Sequence, residues 1–184
     1  MDAYSSYSKS MTATALLLTL VLNTGAPVSM RPLEFKRLPK LAELAKEEAV
    51  DFTKTQGQIG FINEAKKNGV EVTFEPSSTS PYIITVESID QRNRDRADIL
   101  ANATKGASLT KVEITLEQPG ADGKMMKERI KGEAEAGYFG TTEMRNLSGS
   151  PEAKYFAIDL VNRDRARAVG KAVYNAVKGR LPGF

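Results

Sequence analysis

Residues 70–75 alternate in character: Val70, Val72 and Phe74 are apolar, while Glu71, Thr73 and Glu75 are polar. The same period of two returns at Tyr82, Ile84 and Val86. It returns again at Val112, Ile114 and Leu116, interleaved with Lys111, Glu113, Thr115 and Glu117. A strand with this pattern buries one face and leaves the other on water or a polar surface. Strands of a parallel sheet covered on both faces read instead as continuous apolar runs. The expected fold class is therefore α+β, an antiparallel-rich sheet of about five strands packed by three helices.

The remaining elements follow from period and punctuation. Leu41, Leu44, Ala45, Ala49 and Phe52 share a helical face, with Lys46, Glu47 and Glu48 outside it. This helix weakens at Thr55-Gln56-Gly57, and a short helix over 61–67 stops at Asn68-Gly69. Residues 94–105 read as a helix ending at Gly106, and 163–178 as a final helix ending at Gly179. The sequence QPGADG at 118–123 is a hairpin-like turn. It favours a strand for 124–138, although Met126, Ile130 and Ala134 also suit a helix face. Phe156, Ile158 and Leu160 read as the last strand.

Two nine-residue stretches nearly coincide, IDQRNRDRA at 89–97 and IDLVNRDRA at 158–166. A second echo follows in NATKG at 102–106 and NAVKG at 175–179. The two offsets differ by about one helical turn. The pattern predicts two equivalent strand–helix units, at about 70–106 and 132–179. Asn93 and Asn162 would be N-caps, with Asp95 and Asp164 in the positive first turn. Arg94, Arg96, Arg163 and Arg165 complete the two corners, and Asp90 and Asp159 would pair with Arg94 and Arg163 across them. The alternative reading is a duplicated binding corner whose arginines grip an anion.

The 184 residues suffice for one domain with a core, and 41% hydrophobic with 27% charged content is ordinary for a globular protein. There is no His, Cys or Trp. That excludes disulfides, Cys/His zinc sites, Ser-His or Cys-His nucleophile pairs and an imidazole switch. Phosphate-binding P-loop, dinucleotide and calcium-loop patterns are missing from the sequence. The carboxylate pairs Glu47/Glu48 and Glu133/Glu135 lie in charged surroundings, whereas acid–base work needs a cleft that separates two pKa values. No catalytic, metal or cofactor residues are assigned, and the expectation is a protein that is not an enzyme.

Residues 1–30 form an apolar N-terminal arm in this reading, centred on Leu16, Leu17, Leu18, Leu20, Val21 and Leu22. The strongly apolar run is short for a membrane span, which needs about 20 residues. An arm buried against a partner subunit ranks first, a signal or anchor peptide second and a span third. Residues 31–40, RPLEFKRLPK, read as a linker, and 41–184 as a single α+β domain.

The net charge is +3, and residues 151–184 carry seven Lys/Arg against three Asp/Glu. Arg163, Arg167, Lys171 and Lys178 fall on one side of the final helix, a stripe suited to phosphates or an acidic protein surface. Gly57-Gln58-Ile59-Gly60 lies between two predicted helices and ahead of a strand. Over 41–105 this order is similar to the KH family of RNA-binding modules, in which a GXXG loop clamps backbone nucleotides.

Three functions are thus expected, in order. The first is a non-enzymatic structural or adaptor subunit of a large assembly, such as a virus or phage connector or tail component. Its partners would be subunits of the same assembly, with a homo-oligomer favoured and an assembled particle or the cytoplasm as its place. The second is a KH-like RNA-binding protein, contacting nucleic acid through the C-terminal helix. The third is an exported or membrane-tethered domain.

Overall fold

Strands form at three of the stretches with a period of two, around Val72, Ile84 and Ile114, but not at Phe156, Ile158 and Leu160, which are helical; two further short strands pair with them. The computed structural model describes residues 27–95, 97, 106–137, 150–181 and 184. The strands are β1 (Val28–Met30), β2 (Glu34–Phe35), β3 (Val72–Phe74), β4 (Ile83–Asn93), β5 (Ser108–Pro119) and β6 (Met125–Ala136). The helices are α1 (Lys46–Lys67) and α2 (Pro151–Val177). One sheet has the order β2-β4-β5-β6, with β2 parallel to β4 and the other pairs antiparallel. A second sheet is the parallel pair β1-β3.

The fold is α+β, as expected. The element count differs: the described residues hold two helices and two sheets, against three helices and one sheet of about five strands. The stretch 94–105 falls almost wholly outside the described residues. The ambiguous stretch 124–138 is a strand, closed onto β5 by a turn in which Gly120 N–H donates to the Lys124 carbonyl at 2.7 Å. The proposed linker is not a free tether. Glu34 and Phe35 pair with Thr85 and Val86, and Lys36 N–H donates to the Val86 carbonyl at 3.0 Å.

On β5, Ser108, Thr110, Val112, Ile114 and Leu116 turn inward beneath the helices. Lys111, Glu113, Thr115 and Glu117 turn the other way. Phe61 sits at the centre of the core, its ring edge-on to Phe74, Tyr174 and Phe184 at centroid distances of 5.3, 5.4 and 5.9 Å. Burial of each such ring is worth roughly 2–3 kcal/mol.

Two helical expectations are overturned. Residues 46–67 form one continuous helix, and GQIG lies inside it rather than in a loop. The buried stripe of α1 is Ala49, Thr53, Gly57, Gly60, Phe61 and Ala65. Glycine costs about 1 kcal/mol in a helix interior, and here close packing offsets that cost. A β-carbon on Gly60 would collide with the Arg167 backbone, and one on Gly170 with the Gly57 carbonyl. The two helices meet backbone to backbone, as small residues at a crossing allow. The KH-like clamp therefore has no loop to form it.

The second correction concerns the repeat. Residues 158–162 are helix rather than strand, so the second copy lies wholly inside α2, while the first copy ends β4. The chain does not contain two equivalent strand–helix corners. Ser150 caps α2 by accepting from Ala153 N–H at 3.1 Å, Pro151 follows it, and Glu152 lies in the first turn. This start signal precedes the predicted start by about three turns. The predicted stop is met: α2 ends at Val177, and Gly179 has φ +75°.

Candidate functional site

The four cations predicted to form a stripe do not act together. Arg163 pairs with Asp159 on its own helix at 2.6 Å. Arg167 Nε donates to Gln56 Oε1 of α1 at 2.8 Å. Lys171 Nζ donates to the Glu135 carbonyl of β6 at 3.1 Å, and Lys178 Nζ to Asn68 Oδ1 at 2.6 Å. From Arg167 onward α2 is wedged between α1 and the sheet, so these cations radiate toward different elements.

The repeat residues separate as well. Asn93 ends β4 opposite Ser108. Arg94 reaches across the sheet to Glu135, whose Oε1 it meets at 2.5 Å, rather than to Asp90. Glu135 Oε2 accepts from Gly106 N–H at 3.0 Å. Glu135 thus ties the ends of β4, β5 and β6 together and, through its carbonyl, holds α2. Sequence reading placed it only as half of a carboxylate pair. Arg96 lies outside the described residues, and Asp95 and Asp164 are exposed.

In the second copy Asn162 is buried, and its amide takes both backbone groups of one residue: Oδ1 accepts from Ala42 N–H and Nδ2 donates to the Ala42 carbonyl, both at 2.9 Å. Arg165 donates to the Lys40 carbonyl at 3.1 Å, and burial pushes its guanidinium pKa down. These two residues clamp the segment before α1. Among the described corner residues, Arg94 fastens Glu135 while Asn162 and Arg165 fasten the segment before α1, so the two copies serve different partners.

Charge on the outer sheet face is laid out in opposed neighbours. Lys111 stands between Asp90 and Glu133, and Glu113 faces Lys131. Glu117 meets Lys127 at 2.7 Å. Glu87 accepts from Lys36 at 2.9 Å and Thr115 at 2.8 Å, and these bonds hold its carboxyl below the usual range, the Lys36 contact contributing most. A groove of about 500 Å³ runs over Ser88, Asp90, Lys111, Glu113 and Lys131. Among the described residues no group of three or more acidic side chains is placed to hold a metal ion. No described helix is long and apolar enough to cross a membrane.

The feature that sequence reading inverted is the first half of α2. As a strand, Phe156, Ile158 and Leu160 would share one buried face. As a helix, Ile158 turns inward at 7% exposure, whereas Phe156 and Leu160, four residues apart, share an outward face at 65% and 43%. Tyr155 beside them is 67% exposed. Three large apolar side chains therefore crowd about one and a half turns of surface. Met125 and Met126 form a second exposed apolar spot at the β5–β6 turn. The Ser150-Pro151-Glu152 start signal would have revealed the helix and, with it, this surface. The predicted arm residues Leu16, Leu17, Leu18, Leu20, Val21 and Leu22 lie outside the described residues.

No protein-family model matches this chain, and no curated protein matches it. Among solved structures it is similar to a minor lipoprotein from Acinetobacter baumannii, at 15% identity over 78% of this chain and 91% of that one, with a TM-score of 0.24. A superposition that loose carries neither fold nor role across.

Proposed function

We propose that this chain is a non-enzymatic structural or adaptor subunit of a multi-subunit assembly, built in through the first half of α2. The carrying observation is the Tyr155, Phe156 and Leu160 cluster. Single exposed apolar residues are ordinary, but clustered ones mark contact surfaces between proteins. Aromatic side chains are also enriched among the residues that dominate binding energy. The cluster lies on a helix whose second half is locked into the core, so the surface is presented on a rigid support. The predicted partner is a subunit of the same assembly, with a second copy of this chain tested first.

The test is the solution mass of the full chain at micromolar concentration, beside a variant carrying Tyr155→Ser, Phe156→Ser and Leu160→Ser. The expected result is an oligomer that falls to monomer in the variant with its circular dichroism unchanged. Two equal masses would overturn the use of this surface for self-assembly.

A further inference from the structure

The edge of β6 is half closed and half open. Strand β6 ends the sheet order, and among the described elements it touches only β5 and α2. In an antiparallel ladder, alternate residues bond to the neighbour and the others point away. The Gly120–Lys124 bond sets this phase: Met126, Glu128, Ile130 and Gly132 bond toward β5. Lys127, Arg129, Lys131, Glu133 and Glu135 therefore aim their backbone N–H and C=O groups outward. The helix confirms the phase independently, because Asn175 Nδ2 and Lys171 Nζ take the outward carbonyls of Glu133 and Glu135 at 2.9 and 3.1 Å. Close contact of Gly132 with Ala172 and Ala176 seals that half of the edge. At Lys127, Arg129 and Lys131 no described element covers the outward groups.

An open edge is a template for another strand, and its side chains select the occupant. Lys127, Arg129 and Lys131 are exposed and share the outer face. Among the described residues each has acidic company on the β5 flank only: Glu117 beside Lys127, Glu113 opposite Lys131, and Glu87 within electrostatic range of Arg129. A second copy pairing antiparallel through this same edge would set Lys and Arg against Lys and Arg, which is unfavourable at cross-strand distance. An acidic strand would continue the alternation of sign already running across the sheet. On the inner side Glu128 is held by Arg180, and Ile130 offers an apolar neighbour.

We infer that the open half of β6 is a docking edge for an extended acidic segment of a partner protein, added as a further strand. Its acidic residues lie beside Lys127, Arg129 and Lys131, and an apolar one lies beside Ile130. This site is separate from the α2 surface, and the two can fail independently.

The test uses the full chain and a labelled peptide of about nine residues alternating Glu with Val, roughly 30 Å when extended. A matched peptide carries Lys for Glu. Fluorescence anisotropy reads affinity, and amide hydrogen exchange reads the site. The acidic peptide is expected to bind at least about tenfold more tightly than the basic one. It should also slow exchange at the amides of Lys127, Arg129 and Lys131. Arg129→Pro removes one outward N–H, which edge strands tolerate, and should abolish binding. If that variant misfolds, Lys127→Glu with Lys131→Glu should instead shift preference toward the basic peptide. Absent binding, equal affinity for both peptides, an unchanged preference in the reversed variant, or amides already protected without peptide would each overturn the inference.

Discussion

Asn162 and Tyr174 show how one buried polar atom can be either satisfied or stranded. The Asn162 amide has both of its groups matched to the backbone N–H and C=O of one residue, Ala42. Truncation to Ala removes two hydrogen bonds, each worth about 1 kcal/mol net. Asn162→Ala is therefore expected to lower unfolding free energy by about 2 kcal/mol in urea titration. Tyr174 is the opposite case. Its ring is fully buried against Phe61 and Phe184, and its hydroxyl has no hydrogen-bond partner among the described residues. Tyr174→Phe is expected to raise stability by about 1 kcal/mol, because it deletes an unmet polar group and little volume. Burial, and then the charge on Glu64, raise the Tyr174 pKa above its ordinary value. In the unfolded chain the phenol ionises near 10, before the folded one does. The stability tied to this group is therefore complete below about pH 10 and is lost as pH rises through the folded pKa. The stability of wild type relative to Tyr174→Phe should fall over that alkaline window and stay flat below it.

The two helices are held together by what their contact residues lack. Gly60 and Gly170 let the α1 and α2 backbones touch, and the Ala166 backbone lies beside Gly57 in the same contact, whereas Ala172 and Ala176 give the sheet the same close approach at Gly132. Gly60→Ala would improve helix propensity in isolation. In this fold its methyl group would press on the Arg167 backbone, which cannot rotate away as a side chain can. The expected outcome is a net loss of about 3 kcal/mol, seen as a lowered midpoint in thermal or chemical unfolding. A gain in stability would mean that the helices are spaced more widely. The same contact explains why α1 was misread. Hydrophobic periodicity weights large side chains, so Leu41, Leu44 and Phe52 drew the face. Ala49 of that face is indeed buried, but the rest of the buried stripe is Thr53, Gly57 and Gly60 with Phe61 and Ala65, and the first three score as neutral or as breakers. The strands were far more legible, because a half-buried strand must alternate wherever it sits.

At the scale of the whole molecule, α2 divides between two tasks. From Ala166 to Val177 nine of twelve residues are buried, while Tyr155, Phe156 and Leu160 stand in solvent. The assembly proposal predicts that replacing those three by Ser leaves unfolding stability nearly unchanged while dissociating the oligomer, as solution mass would report. Equal loss of fold and of association would mean that the cluster belongs to the chain's own packing. The charged sheet face and the open half of β6 lie on another side of the domain. A subunit with both surfaces could join two different neighbours.

Taken alone, the sequence determined the class α+β, the central strands, the β5–β6 turn and the glycine stops at Gly69 and Gly179. These depend on neighbours a few residues away: alternation, φ > 0 and turn chemistry are local constraints. Its exclusions of disulfide, Cys/His zinc and imidazole chemistry are compositional and hold in any fold. Tertiary structure decided the rest. The near-identical IDQRNRDRA and IDLVNRDRA became the end of a strand and the middle of a helix. Their intrinsic preferences are nearly equal, and the difference comes from what each packs against: β5 in one case, α1 and the Ala42 backbone in the other. The basic residues of α2 likewise look like one stripe on a bare helix. Arg163 pairs within the helix with Asp159, as their spacing predicts, but only the placement of α1, β6 and Asn68 around that helix assigns Arg167, Lys171 and Lys178 their partners.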